Sequence, residues 1–166
     1  MINQQQLYGE VVRPQLDYLA DAEPKLGAQA AGQLIMATIA TESNGGEYLC
    51  QVRGPALGII QMEPATLRDI IEWLDTAKNA RIRHRVFAEL SPTKTDFEKL
   101  LVTNLEFAIT MCRIFYWRVR EALPEDGDWP GMARYWKKYY NTELGKGTPQ
   151  NFMEAVQHCR LESILW

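Results

Sequence analysis

The chain has 166 residues, of which 46% are hydrophobic and 23% are charged, and its formal net charge is −3. This composition is typical of one folded domain and excludes a disordered chain, while the slight negative charge gives no electrostatic reason to expect nucleic acid or an anionic membrane as a partner. Cys50, Cys112 and Cys159 lie far apart and form no Cys-x-x-Cys pair, so the sequence indicates neither a disulfide framework nor a zinc site.

The hydrophobic pattern is helical along most of the chain, which predicts a mainly α single domain over residues 1–166. The first predicted helix covers 4–20 and would kink at Pro14. The next covers 26–41, contains no charged residue and is apolar on every side, which predicts a buried helix. It should end at the letters SNGG, because glycine adopts the left-handed conformation of a helix C-terminus without strain.

Further helices are predicted in the rest of the chain. The letters GPALGIIQMEP predict a loop or a short hairpin, and Pro64 predicts the first turn of the following helix. Thr95 and Glu98 match a capping box in front of a long apolar segment. The predicted helical ranges from Pro64 onwards are 64–74, 77–90, 96–122, 129–140 and 149–163, the last with Thr148 as its N-cap.

Glu42 lies where the buried helix ends. It follows Ile35 by seven positions and Ile39 by three, so it shares their core-facing side. Partial desolvation and the negative end of the helix dipole disfavour its charged form, and no Lys or Arg lies within one turn to oppose them. We therefore expect a raised pKa, which suits the proton donor of a glycosidase. The alternative is a solvated glutamate whose long side chain reaches water.

Short motifs after Glu42 resemble those of a known family. The pair Glu42-Ser43 is followed by a segment that fits the pattern G-A-x-G-L-M-Q-x-x-P-x-T, with Ile59-Ile60 in place of Leu-Met. The matching residues are Ala56, Gly58, Ile59, Ile60, Gln61, Pro64 and Thr66. Two later patterns, Asn-Ile/Leu-x-x-Gly/Ala and A-Y-N-x-G, are matched by Asn104-Leu105 with Ala108 and by Tyr140-Asn141. Over about 31–147 the chain thus resembles the SLT-type lytic transglycosylases and goose-type lysozymes.

The resemblance has two departures. Val52 and Pro55 stand where the family has Ser and its first Gly, and Thr-Glu-Leu is inserted before Gly145. Because of this insertion, Tyr139 competes with Tyr140 for the role of the motif tyrosine.

The resemblance implies a mainly α, lysozyme-like fold, a single domain with a substrate cleft and at most a small β-hairpin. Glu42 would be the catalytic acid. The residues that would bind substrate or orient this acid are Ser43, Gln61, Tyr139, Tyr140 and Asn141.

Each of these assignments has a structural alternative. Ser43 could cap the C-terminus of its helix, and Gln61 and Asn104 could bond loop backbone. Four aromatic side chains in the 129–140 region could stack on sugar rings or belong to the core: Trp129, Tyr135, Trp136 and Tyr139.

The number of catalytic acids separates two reactions. Glycoside hydrolysis normally uses two carboxylates, whereas the family's lyase reaction uses one acid that then acts as a base and yields a 1,6-anhydro product. Glu47 and Glu63 are the candidates for a second acid, and since neither belongs to a motif, the single-acid lyase is favoured over an inverting muramidase. A non-catalytic virion or wall-binding protein is the third alternative.

The expected partner is the glycan strand of peptidoglycan, bound by a monomer without cofactor or metal. The letters RIRHR predict either a solvated face or contact with acidic wall polymers. The sequence has neither a secretory signal nor an uncharged apolar run of membrane-spanning length, so we expect no stable membrane insertion. These features are typical of a phage endolysin made in the host cytoplasm and acting in the periplasm after release, or of an enzyme carried in a virion.

Overall fold

The computed structural model describes residues 1–88, 90, 95–164 and 166, and helices form most of it. The α-helices are α1 (Gln4–Gln6), α2 (Arg13–Ala20), α3 (Gln29–Ser43), α4 (Pro64–Leu74), α5 (Ala80–Val86), α6 (Phe97–Thr103), α7 (Leu105–Trp117), α8 (Trp129–Trp136) and α9 (Pro149–His158). Two segments are π-helical, Leu7–Val12 and Lys137–Asn141, and three are short 3-10 turns, Pro24–Gly27, Ala77–Asn79 and Leu161–Ser163.

Helix α3 is the central helix, and the prediction that it is buried is confirmed. Its sequence offers apolar or small side chains in every direction, so neighbours can cover it on all sides, and α3 contacts α7, α8 and α9. Helices α2 to α9 contribute to one hydrophobic core, represented in chain order by Leu16, Ile35, Ile70, Ile82, Leu101, Ile109, Met132 and Phe152.

The end of α3 lies where the sequence predicts it, at the letters SNGG. Asn44 adopts the left-handed conformation with a φ of 53°, and Gly45 and Gly46 follow with φ values of 66° and 81°. The Gly45 N–H donates to the Ile39 carbonyl over 3.2 Å, which satisfies one of the last carbonyls of the helix. The chain therefore turns sharply just after Glu42.

The first predicted helix is helical throughout but changes type before Pro14. Leu7–Val12 is π-helical, and the Arg13 N–H donates to the Tyr8 carbonyl five residues earlier. Proline has no N–H, so an α-helix through Pro14 would lack one backbone hydrogen bond to the preceding turn. The wider π-helical turn occurs at this position.

The prediction of a single long helix over 96–122 is wrong. Asn104 separates α6 from α7 with an extended backbone, and its Oδ1 accepts the Phe107 N–H over 2.9 Å. An asparagine side chain competes with helical hydrogen bonding and favours an N-cap, so α7 starts anew at Leu105 and ends at Trp117.

The cap in front of α6 also differs from the prediction. Asp96, and not Thr95, is the N-cap, because its Oδ1 accepts the Lys99 N–H over 3.0 Å. The preceding predicted helix, 77–90, consists of a 3-10 turn and α5, which ends at Val86; its position Glu89 lies outside the described residues.

The last two predicted helices are present with altered ends. The aromatic segment 129–140 is α-helical to Trp136 and then π-helical. Thr148 is the N-cap of α9, as its sequence predicts, and it forms a capping box with Asn151. Helix α9 ends at His158 and a short 3-10 turn follows.

The segment predicted as a loop or short hairpin is a compact loop. Two isolated antiparallel bridges join Leu57 to Cys50 and to Met62. Gly58 has a φ of 72°, and a Cβ at this position would lie 2.1 Å from the Leu101 carbonyl oxygen. Glycine is therefore needed at position 58, where the loop lies directly against the end of α6.

The basic face of α5 is largely paired with acidic neighbours or backbone. Arg83 forms an ion pair with Asp75, Arg85 pairs with Asp21, and Arg81 donates to the Asp21 carbonyl. These contacts favour the solvated-face interpretation of the letters RIRHR over contact with an acidic polymer. Among the described residues, no helix is long and apolar enough to cross a membrane.

Candidate active site

A cavity of about 800 Å³ opens beside the end of α3. Its walls come from Glu42, from the loop before α4, from one side chain of α7 and from the segment after α8. The lining residues are Glu42, Gln51, Val52, Arg53, Ala56, Gln61, Met62, Glu63, Thr66, Phe115, Tyr140, Asn141, Thr142, Leu144, Gly145, Lys146 and Gly147. The fold thus brings the end of α3 together with segments about 20 and 100 residues further along the chain.

Glu42 lies in the cavity wall, partly exposed, with one fixed hydrogen bond. The indole Nε1–H of Trp136 donates to its Oε1 over 3.0 Å. Its neighbours Cys112 and Tyr116 are buried and Tyr140 is half-buried, and desolvation raises the pKa of each, which keeps these groups neutral. On its protein-facing side Glu42 therefore lies among uncharged groups.

Burial raises the pKa of Glu42 from 4.5 to about 7, and the hydrogen bond from Trp136 opposes this rise. Loss of hydration disfavours the carboxylate, whereas the indole N–H favours it, and the first effect is larger. The raised pKa agrees with the expectation from the position of Glu42 at the end of a buried helix. This carboxyl group therefore binds a proton far more readily near neutral pH than an ordinary glutamate does.

Tyr140 forms part of the aromatic wall next to Glu42. Its hydroxyl donates to the Ile60 carbonyl over 2.7 Å, and its ring packs against Phe115 and Tyr116 with centroid distances of 4.9 and 5.5 Å. The hydroxyl is thus used to hold the loop before α4. Tyr140 lines the cavity as the sequence suggests, but it is Trp136 and not Tyr140 that bonds Glu42.

Gln61 and Asn141 both line the cavity. Gln61 has a left-handed backbone with a φ of 46°, and its amide Nε2 donates to the Gly58 carbonyl over 2.8 Å. The Oδ1 of Asn141 accepts from Lys137 Nζ over 2.9 Å. The other end of each amide, the Oε1 of Gln61 and the Nδ2 of Asn141, has no hydrogen-bond partner among the described residues.

Ser43 does not line the cavity, so of its two predicted roles, binding substrate or orienting Glu42, the structure favours the second. The side chain is fully buried, and its hydroxyl lies 2.5 Å from the Ile59 carbonyl and 3.0 Å from the Ile39 carbonyl. It also accepts the Gly46 N–H over 3.1 Å. Ser43 joins the end of α3 to the loop before α4 and so fixes the position of Glu42 indirectly.

Replacing Ser43 with alanine should lower Tm by about 6 °C, because the half-buried Gly46 N–H and the buried Ile59 carbonyl would lose their partner at a cost of about 2 kcal/mol. The matched control is Ser163→Ala, which removes an exposed hydroxyl that donates to the Arg160 carbonyl. Thermal unfolding followed by circular dichroism measures both. Equal Tm values for Ser43→Ala and wild type would contradict the anchoring role.

Tyr139 and Glu47 lie outside the cavity wall, which corrects two assignments. The Tyr139 hydroxyl donates to Glu121 over 2.7 Å, and its ring packs on Tyr135. Glu47 is exposed and accepts a hydrogen bond from Asn44. Neither side chain is placed to act on a ligand beside Glu42.

Glu63 is the second-acid candidate that does line the cavity. It is exposed and occupies the N-cap position of α4, where the helix dipole stabilises a negative charge. The described part of the chain contains no group of three His, Cys, Asp or Glu side chains that could hold a metal ion.

The segment after α8 is strained and is held by one lysine. Thr142 has φ 65° and ψ 170°, a region that β-branched residues rarely adopt. Lys137 Nζ donates to the Thr142 carbonyl over 2.7 Å, to the Gly145 carbonyl over 2.9 Å and to Asn141 Oδ1. These three hydrogen bonds stabilise the segment that forms one wall of the cavity.

Replacing Lys137 with methionine should make the segment after α8 more mobile, because three charge-assisted hydrogen bonds to it would be lost. We expect faster tryptic cleavage after Lys146, because the segment would unfold locally more often. The control is Lys138→Met, which removes an exposed ion pair with Glu121 away from this cavity. Equal proteolysis rates for the two variants would contradict the proposed brace.

Some site residues were not assigned from the sequence. The rings of Trp136, Tyr135 and Trp129 are buried, so of their two interpretations, sugar stacking and core packing, the structure favours the core. No sequence motif includes Phe115, Lys137 or the two cations that line the cavity, Arg53 and Lys146. Their roles depend on contacts between distant segments, for which a single sequence gives no signal.

No protein-family model matches this chain, and neither a curated protein nor a solved structure was found to match it. The candidate site is therefore defined by the geometry of the chain itself.

Proposed function

We propose that this protein cleaves the glycan strand of peptidoglycan with Glu42 as its acid catalyst. The observation that carries this proposal is a carboxyl group with a pKa of about 7 in the wall of an 800 Å³ cavity. A group that is protonated near neutral pH can donate a proton to a glycosidic oxygen and is then basic enough to accept one.

A lysozyme-like fold is part of the proposal. Glu42, Gln61, Tyr140 and Asn141 come from the motifs that resemble the lytic transglycosylases and goose-type lysozymes, and all four line one cavity. Motif residues that are distant in sequence and meet at one cavity support a shared site better than each motif does alone.

The favoured reaction is that of a lytic transglycosylase. The Glu42 carboxylic acid protonates the bridging oxygen, and the bond between this oxygen and the anomeric carbon of N-acetylmuramic acid breaks. The Glu42 carboxylate then takes the proton from the 6-hydroxyl of the same sugar, whose oxygen bonds to the anomeric carbon. The products are a 1,6-anhydro sugar and a free 4-hydroxyl on N-acetylglucosamine, and Glu42 has regained its proton without any water being consumed.

The surroundings of Glu42 suit this sequence of proton transfers. Trp136 fixes the carboxyl group and stabilises its charged form between the two steps. Phe115 and Tyr140 provide an aromatic wall on which a sugar face can pack. The free amide ends of Gln61 and Asn141 can hydrogen-bond the acetamido groups or hydroxyls of the sugars.

Hydrolysis by an inverting muramidase is the second candidate, and one observation favours it. Glu63 lines the same cavity as Glu42 and is exposed, so it could activate a water molecule as a general base. A non-catalytic wall-binding or virion protein is the third candidate. We propose release from the host cytoplasm by a phage, or carriage in a virion, as the routes by which the enzyme reaches the cell wall.

Product analysis tests the proposal. Purified protein is incubated with peptidoglycan sacculi and with chloroform-treated Gram-negative cells, and the soluble products are identified by mass spectrometry. Anhydro ends support the lyase, reducing ends support the hydrolase, and both must be absent with Glu42→Gln. If wild type and Glu42→Gln release the same material, the enzymatic proposal is wrong.

A further inference from the structure

Two cations lie in the wall of the cavity beside Glu42. Arg53 comes from the loop before α4 and Lys146 from the segment after α8, so they belong to two separate parts of the wall. Neither side chain forms an ion pair or a hydrogen bond with the described residues, whereas Arg68, Arg83 and Arg118 are each paired with a carboxylate.

The loop that carries Arg53 is closed and fixed in shape. The Gln51 N–H donates to the Ala56 carbonyl over 2.9 Å, and the Ala56 N–H donates back to Gln51 Oε1 over 3.3 Å. Within this closed loop Arg53 adopts a left-handed backbone with a φ of 64°. A non-glycine residue in this conformation is strained, and such strain concentrates at ligand-binding sites.

Lys146 is likewise carried by a braced segment. The preceding Gly145 carbonyl accepts from Lys137 Nζ over 2.9 Å, and Thr148, two residues later, caps α9. The backbone on both sides of Lys146 is therefore anchored. The Lys146 side chain is flexible, but the backbone position from which it extends is fixed at the cavity rim.

The charge of the cavity wall does not suit a purely neutral ligand. When Glu42 holds its proton, Arg53 and Lys146 outnumber the remaining acid of the wall, Glu63, although the whole chain carries a net charge of −3. The amino sugars of a glycan strand are uncharged, so they give these cations no partner. Carboxylates that project from the strand would give them one.

We infer that Arg53 and Lys146 bind the free carboxylates of the peptide stems of peptidoglycan and so determine specificity for strands that carry charged stems. This inference rests on the proposed function, since it concerns the same cavity. Each contact is exposed and contributes modestly, but together the two should give about a tenfold preference in kcat/KM for charged over uncharged stems.

The experiment compares two substrates that differ in charge but hardly in size. One is native peptidoglycan, and the other is the same material with its stem carboxylates converted to amides by carbodiimide and ammonia. The measured quantity is the ratio of kcat/KM on the native material to kcat/KM on the amidated material. The proteins are wild type, the double variant Arg53→Gln with Lys146→Gln, and the control pair Lys99→Gln with Arg120→Gln.

The control pair changes the net charge by the same amount at two exposed cations that do not line the cavity. We expect a ratio of about ten for wild type and for the control pair, and about one for the Arg53 and Lys146 variant. Added salt should lower the wild-type ratio, because exposed charges are screened.

Three results would overturn the inference: a wild-type ratio near one, a ratio near ten that persists in the double variant, or an equal loss in the control pair. In each of these cases the cleavage products still form, so the proposed function stands. If wild type forms no anhydro or reducing ends from either material, the proposed function itself fails, and the inference fails with it.

Discussion

Replacing Glu42 with glutamine should abolish the release of soluble muropeptides while making the folded protein more stable at neutral pH. Glutamine has almost the same shape, and its Oε1 can still accept the Trp136 N–H. It cannot donate a catalytic proton, and loss of a general acid costs roughly 10²–10⁴-fold in rate. Activity should therefore fall by about a thousandfold or more without loss of the fold.

The gain in stability follows from the raised pKa of Glu42. Below pH 4.5 the carboxyl is protonated in both the folded and the unfolded chain, so it does not affect the free energy of unfolding. Between pH 4.5 and about 7 the unfolded chain loses the proton first, so the wild type becomes less stable as pH rises, and above this window the loss is complete. Glutamine does not titrate and avoids this loss.

The size of the effect can be bounded from the same pKa. A rise from 4.5 to about 7 corresponds to about 3 kcal/mol, and partial exposure of the group reduces our expectation to about 2 kcal/mol. Urea unfolding of wild type and Glu42→Gln at pH 4 and pH 8 measures the difference. The free energies of unfolding of the two proteins should be nearly equal at pH 4, and that of Glu42→Gln should be higher by about 2 kcal/mol at pH 8.

Glu47→Gln is the matched control for this experiment, since Glu47 is exposed and lies outside the cavity wall. It should keep wild-type activity and show no such pH-dependent gain. A Glu42→Gln variant that loses stability at pH 8, or that still cleaves peptidoglycan, would show that Glu42 is not a desolvated acid.

The features that the sequence predicts correctly are those decided by short-range patterns. The burial of α3 follows from a run without any charged side chain, and its end follows from Asn44 and two glycines. The raised pKa of Glu42 follows from its place at the end of that run. In each case the cause lies within about one helical turn of the effect.

The break between α6 and α7 shows why local patterns also mislead. The apolar spacing continues through Asn104, but the Asn104 side chain bonds the Phe107 N–H and starts a new helix. Whether an asparagine interrupts a helix depends on the packing on either side, here including the close contact of Gly58 with Leu101. Neither motif nor periodicity contains that information.

The choice between Tyr139 and Tyr140 depends on helix type. Lys137–Asn141 is π-helical, so each residue turns the chain by less than it would in an α-helix, and the faces of the two tyrosines shift accordingly. Tyr140 therefore faces the cavity and Tyr139 faces Glu121.

Replacing Trp136 with phenylalanine should move the alkaline limb of the pH–rate profile to higher pH. The indole N–H favours the carboxylate form of Glu42 and holds its pKa at about 7 against the effect of burial. Without this donor the protonated form is favoured further, so the pKa rises and the acid remains competent at higher pH. The partner residue is 94 positions from Glu42, which is why the sequence did not indicate this pair.

The same substitution should lower the maximal rate by about a hundredfold, because a carboxyl group that has lost its fixed contact is misplaced for part of the time. Trp129→Phe is the matched control: it makes the same chemical change in a buried tryptophan at the other end of α8, where the ring packs near Trp166 and does not bond Glu42. Both variants should lose some stability, since both leave a gap in the core.

The pH dependence of kcat/KM separates positioning from packing in these two variants. A structural role alone would lower the rate of both variants and leave the limb at about pH 7 in each. We expect the limb to shift only in Trp136→Phe, because only this variant removes a hydrogen bond from the acid. An unshifted limb in Trp136→Phe would show that the indole does not set the pKa of Glu42, and the acid would then owe its proton affinity to burial alone.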